Sequence, residues 1–188
     1  MAVFASGSGT NAENIIRFFR PNNKIDIKLI VSNKPDAKVL ERAENHNVDH
    51  FVFTREQFYQ SDYVVQQLQH FKIDFIVLAG FLWLIPENLI KAYPDKIVNI
   101  HPALLPKYGG KGMYGSRVHE SVIANKEKES GITIHYVNER YDEGNIIYQA
   151  TCPVEEEDTP DSLAAKIHEL EYAYYPKVIE ELLNMTMS

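Results

Sequence analysis

Ala2-Val3-Phe4-Ala5-Ser6-Gly7-Ser8-Gly9-Thr10-Asn11, followed by Ala12 to Phe19, is the stretch that decides the fold. A short apolar run enters a glycine-rich turn, and the turn opens onto a helical pattern. Ala12, Ile15, Ile16 and Phe19 recur at helical spacing and give that helix one buried face. Thr10, with Glu13 three residues on, reads as a capping box at its start, and Pro21, Asn22 and Asn23 end it. A strand, a tight turn and a helix in this order form the first half of a βαβ unit.

The same alternation continues. Apolar runs at Lys24 to Val31, Phe51 to Phe53, Ile73 to Ala79 and Ile97 to Ile100 are separated by helical stretches. This predicts a doubly wound α/β fold, with a mostly parallel central sheet and helices on both faces. Lys107 to Gly115 is glycine-rich and aperiodic, hence a loop. Arg117 to Asn125 reads as a helix, and Ile132 to Val137 and Ile146 to Thr151 as β-rich runs joined by a polar turn. Thr159-Pro160 caps a long last helix. Its buried line reads as Leu163, Ile167, Leu170, Tyr174, Val178 and Leu182, with Pro176 kinking or interrupting it.

At 188 residues, one domain spanning 1–188 is the natural size. The net charge of −7 argues against nonspecific binding to nucleic acid or anionic membranes. A single cysteine, Cys152, excludes an internal disulfide and a cysteine-built metal site, and it reads as a packed side chain. No signal peptide or membrane span is visible, so a cytoplasmic location is expected.

Two motifs carry chemistry. Ser6 to Asn11 sits where a strand meets a helix start, and its glycines let backbone N–H groups turn toward a phosphate. It is not a Walker A loop, since no lysine follows at the required place, and it lacks the full dinucleotide fingerprint. The second motif is Asn99-Ile100-His101-Pro102. Asn99 and His101, two apart on a strand, point to the same side and form a carboxamide–imidazole pair at a sheet edge where α/β folds place their sites. A carboxylate for this pair comes from Asp142 or Glu143, which the sequence alone leaves open. Histidine beside a carboxylate suits proton transfer near neutral pH. Without an obvious serine or cysteine nucleophile motif, direct attack by a bound substrate is the indicated chemistry.

The chain resembles the folate-dependent glycinamide ribonucleotide transformylases of the formyltransferase superfamily. The resemblance rests on Phe4 to Asn11, Leu78-Ala79-Gly80-Phe81, Asn99 to Tyr108, Gly131 to Val137 and Asp142-Glu143-Gly144, in order along essentially the whole chain. It implies transfer of a formyl group from 10-formyltetrahydrofolate to glycinamide ribonucleotide in purine synthesis, without a metal. It implies Asn99, His101 and Asp142 as a catalytic trio, with Asp142 raising the His101 pKa so that the imidazole acts protonated. Gly9, Thr10, Asn11 and Glu171 take the glycinamide ribonucleotide. Arg55, Leu82, Trp83, Leu84, Ile85 and Asn99 take the folate. Trp83 stands where many relatives have arginine, leaving Arg55 for the acidic folate tail, and the 109–114 loop is a few residues longer than the common form. A formyltetrahydrofolate hydrolase would use the same trio, although such enzymes usually carry an extra N-terminal domain. The implied partners are small molecules, with neither nucleic acid nor membrane, and the chain is expected as a monomer or homodimer.

Overall fold

Every residue of Ala2–Phe4 is buried, because this strand has a neighbour on both edges and is covered on both faces. A computed structural model describes residues 1–21 and 24–186. The chain divides into two compact units, Met1–Asn99 and Ile100–Ser188.

In the first unit, β1 (Ala2–Phe4) is followed by α1 (Thr10–Phe19), β2 (Leu29–Ser32), α2 (Lys38–Asn45) and β3 (Asp49–Val52). Then come α3 (Arg55–Tyr59), α4 (Tyr63–His70), β4 (Ile76–Leu78), α5 (Glu87–Ala92) and β5 (Ile97–His101), whose last two residues begin the second unit. All adjacent strands here are parallel, with Val3 opposite Ile30 on one side and Val77 on the other. The chain builds outward from β1 through β2 to β3, then returns to lay β4 along the other edge of β1. That reversal of winding makes a crevice at the carboxyl ends of β1 and β4, and the glycine loop leaves β1 there. Phe4, Phe53, Phe58 and Phe81 pack as an aromatic core, with Phe53 stacked on Phe58 at 4.7 Å and Phe81 edge-on to Phe4 at 5.5 Å. Truncating the fully buried Phe4 to alanine would cost about 3–5 kcal/mol.

The second unit holds α6 (Ser116–Ala124), β6 (Glu129–Tyr136), β7 (Ile146–Pro153) and α7 (Pro160–Thr186). β6 and β7 pair antiparallel, with an irregularity between Ile134 and His135, and α7 packs on α6, β6 and β7. The hydrogen-bonded strand order is β3-β2-β1-β4-β5-β6-β7, a mostly parallel central sheet with flanking helices, as the alternating pattern predicts.

Three local expectations are corrected. The cap of α1 is Gly9 in a left-handed conformation, with no side-chain cap, and Thr10 is already helical. Glu13 faces Arg17, Arg42 and His46 instead of reaching back to the cap; its charge pairs hold it. The capping box of this unit lies at Thr54 and Gln57. The expected helix end includes Asn22 and Asn23, which lie outside the described residues. In α7 the Thr159 cap holds, accepting from the Ser162 amide, but the helix runs through Pro176 without interruption. Its buried line advances by fours through Leu163, Ile167, Glu171, Tyr175 and Ile179. Val178 is buried as expected, whereas Leu170, Tyr174 and Leu182 are only half-buried.

Candidate active site

The polar cluster of the second unit grows from three segments. His101 ends β5, His135 lies near the end of β6, and Asp142 lies in the β6–β7 connection with a left-handed backbone at φ 57°. His101 and His135 are buried, and the Asp142 side chain is 11% exposed. Asp142 Oδ2 lies 3.5 Å from His101 Nδ1, and Oδ1 lies 3.6 Å from His135 Nε2. The Gly110 amide donates to Oδ2 at 3.0 Å. His101 Nε2 donates to the Tyr108 carbonyl at 2.7 Å, which assigns a proton to that nitrogen because a carbonyl only accepts. Glu143, the competing acid, is exposed and pairs with Arg140 at 3.1 Å. Geometry therefore selects Asp142. Gly144 sharpens the turn: a Cβ there would sit 1.6 Å from the Tyr136 carbonyl oxygen.

Electrostatics corrects one expectation. Burial pushes the His101 pKa below its ordinary value, and the opposing pull of Asp142 and the Tyr108 carbonyl does not restore it. The resting imidazole is neutral near pH 7, not protonated. For Asp142 burial pushes upward, but the His135 hydrogen bond, the His101 charge and the Gly110 amide together hold the carboxyl below the usual range. Glu171, on the buried face of α7, accepts from His168 Nδ1 at 2.9 Å and raises the His168 pKa. Nothing in the sequence singles out His135 or His119. His135 was visible only as a histidine in a β-rich run. His119, 4% exposed on α6, is lowered by burial and by the neighbouring His168 and His101. Its Nδ1 has no hydrogen-bond partner among the described residues. Cys152 is half-buried with its thiol pKa pushed up by burial, as suits a packed side chain.

The first unit carries the other predicted residues. Gly9, Thr10 and Asn11 stand at the turn into α1, where Gly9 has φ 70°. A side chain there would be strained, and its Cβ would lie 2.4 Å from Val39 Cγ2. Ser6 ties this loop to the apolar segment after β4: its Oγ donates to Asn33 Oδ1 at 2.7 Å and accepts from the Leu82 amide at 3.0 Å. In that segment Ile85 packs inward, Trp83 and Leu84 are half-buried, and Leu82 is 36% exposed. The Leu84 carbonyl accepts from the Tyr59 hydroxyl at 2.9 Å. The Arg55 guanidinium lies over the Tyr59 and Trp83 rings at 5.2 and 5.5 Å, so both rings offer it a face. Asn99 is half-buried on β5, opposite Leu78 and two residues before His101.

Residues 1–179 match the family model described as Formyl transferase. The chain belongs to the formyl transferase family. Among its relatives is the chloroplastic phosphoribosylglycinamide formyltransferase of Arabidopsis thaliana, 40% identical over 95% of this chain, which spans 63% of that protein's length. The enzyme of that name from Bacillus subtilis strain 168 is 39% identical, with 98% of this chain and 94% of the relative covered. The crystal structure of phosphoribosylglycinamide formyltransferase from Bacillus halodurans matches with a TM-score of 0.86 at 42% identity, covering 97% of this chain and 94% of that one. Among the described residues of this formyl transferase family member, no cluster of three or more His, Cys, Asp or Glu side chains could hold a metal ion. No helix among them is long and apolar enough to cross a membrane.

Proposed function

We propose that this chain transfers the formyl group of 10-formyltetrahydrofolate to the free amine of N1-(5-phospho-D-ribosyl)glycinamide. The products are the N2-formyl compound and tetrahydrofolate, a step of de novo purine synthesis. The observation that carries the reading is the pairing of Asp142 with His101, which shares β5 with Asn99, in a chain of this family. The amine forms a bond to the formyl carbon, the bond from that carbon to the folate nitrogen breaks, and one proton passes from amine to folate nitrogen. The Asn99 carboxamide donates to the formyl oxygen as it gains negative charge, and the His101 imidazole joins it only after taking up the proton, when both ring nitrogens carry hydrogen; each such donor is worth roughly 3 kcal/mol in the transition state. Asp142 stabilises positive charge on His101 as the proton moves. Because burial keeps the resting imidazole neutral, His101 accepts that proton during the reaction rather than carrying it beforehand.

Backbone donors of Gly9, Thr10 and Asn11 hold the phosphate, and Glu171 holds a polar part of the same substrate. Leu82 to Ile85 supply an apolar wall for the pterin, and Arg55, braced on Trp83 and Tyr59, meets the acidic tail of the folate. This assignment treats 1–188 as one formyltransferase domain, cytoplasmic, and active as a monomer or homodimer, which sedimentation distinguishes. The deciding experiment incubates the protein with 10-formyltetrahydrofolate, with and without the amine substrate. Amine-dependent loss of the formyl donor is the expected result. Equal loss without the amine would make the protein a hydrolase and overturn the proposal.

A further inference from the structure

The turn between β1 and α1 is held from outside. The Val39 amide, in the first turn of α2, donates to the Gly7 carbonyl at 3.2 Å. Arg42 Nε, one turn further along α2, donates to the Ser8 carbonyl at 2.8 Å. The Glu13 amide donates to the Gly9 carbonyl at 2.8 Å. Three successive carbonyls are thus fixed by the two helices. In a trans peptide the N–H points opposite to the carbonyl of the same unit. Fixing these three carbonyls therefore directs the Ser8, Gly9 and Thr10 amides the other way, the arrangement a bound anion requires.

Of these anchors only Arg42 is a side chain, and it serves two elements. Its Nη1 pairs with Glu13 in the first turn of α1, while its Nε holds Ser8. The Glu13 carboxylate is fixed further by His46 Nε2 at 3.0 Å and Arg17 at 2.7 Å. A planar guanidinium can make both bonds at a set angle, whereas an ammonium offers a single point of attachment. Gly7 and Ser8 themselves are exposed, so packing does not set their peptides.

We propose that Arg42 is a positioning residue for the substrate phosphate: it acts through the Ser8 carbonyl and orients the Gly9 amide of the glycine loop. This rests on the functional reading above, which places the phosphate at that loop. The test is titration of wild-type protein, Arg42→Ala and Arg42→Lys with glycinamide ribonucleotide by calorimetry without folate, followed by steady-state kinetics. The expected result for Arg42→Ala is at least tenfold weaker binding and a matching rise in KM for that substrate, with kcat and the folate KM within twofold. Arg42→Lys, which keeps the charge and is the milder change if alanine disturbs folding, recovers only part of the loss. Normal binding by both variants, or equal weakening toward both substrates, would overturn the role. A wild-type protein that binds glycinamide ribonucleotide without transferring formyl would sink the functional reading alone, and the same titration would still decide the part played by Arg42.

Discussion

As the proposed binding and catalytic elements, the glycine loop of the first unit and the histidine–carboxylate cluster of the second would solve recognition in opposite ways. In the loop the working groups are main-chain amides, the side chains are small, and orientation comes from carbonyls anchored to α1 and α2. In the cluster the working groups are titratable side chains, buried together so that each shifts another's proton affinity. A main-chain cradle is indifferent to pH but intolerant of an added Cβ. A side-chain cluster is sensitive to protonation. Substitutions in the loop should therefore register in KM, and substitutions in the cluster in kcat and its pH profile.

The largest break in that contrast comes from His101→Ala, expected to lower kcat about 100- to 1,000-fold while leaving the KM for glycinamide ribonucleotide near its starting value. Steady-state kinetics checks this, and a variant retaining near-full turnover would remove His101 from the chemistry. Asp142→Asn, nearly isosteric and at ease with a left-handed backbone, should cost about 100-fold in kcat. A pure KM effect there would blur the distinction between the two regions. Gly9→Ala should do the reverse. Its Cβ meets Val39 at 2.4 Å, so α2 must shift, with about 1–3 kcal/mol of lost stability and a rise in the KM for the phosphorylated substrate alone.

A subtler sharpening uses acid. The folded-state pKa of His101 is lowered, so between its unfolded value of about 6.5 and the folded value the unfolded chain binds more protons. Stability falls on acidification through that window. The depressed pKa of Asp142 acts in the same direction at lower pH: its contribution is present above the unfolded value of about 3.9 and lost as pH falls through the folded value. Melting temperatures of wild type and His101→Gln at pH 5 and pH 8 should converge in acid, and parallel curves would refute the linkage. The smallest effect is expected from Arg55→Ala, where loss of an exposed cation over two rings is worth about 0.5–1 kcal/mol. It should weaken polyglutamylated folate more than a folate lacking glutamates, and equal weakening would end the tail-binding role.

How far the sequence spoke for itself varied with the physics of each element. The parallel strands were legible because a strand buried on both faces must be a short apolar run, as Leu29–Ser32 and Ile76–Leu78 nearly are. Their ends were not, since hydrophobicity outlasts pairing: Lys24 to Val31 suggested a longer strand than β2. The start of α1 is ambiguous in the sequence because Glu13 suits a capping box and an ion pair equally well, and only the folded neighbours Arg42 and His46 decide between them. Along α7 the alternative buried line was hidden by Glu171, a charged residue on the covered face that hydropathy assigns to solvent. In the site, spacing found Asn99 and His101 because they share a strand. The choice of Asp142 over Glu143 depended on a turn geometry that adjacent residues do not announce. His135 and the Tyr108 carbonyl came from segments whose meeting is tertiary.

Tyr108 and Asp142, which supply the carbonyl and the carboxylate that grip His101, both have φ 57°. For a bulky residue such as Tyr108 that conformation costs about 1–2 kcal/mol. Selection in the laboratory for heat tolerance alone would then be drawn to position 108, where asparagine or glycine sits more comfortably. Such lineages would gain backbone ease at the cost of the phenol's bond to Glu127, which ties the Tyr108 segment down, and so loosen the grip on the imidazole. Their survivors would trace a trade-off between endurance and turnover at a residue that need never touch a substrate.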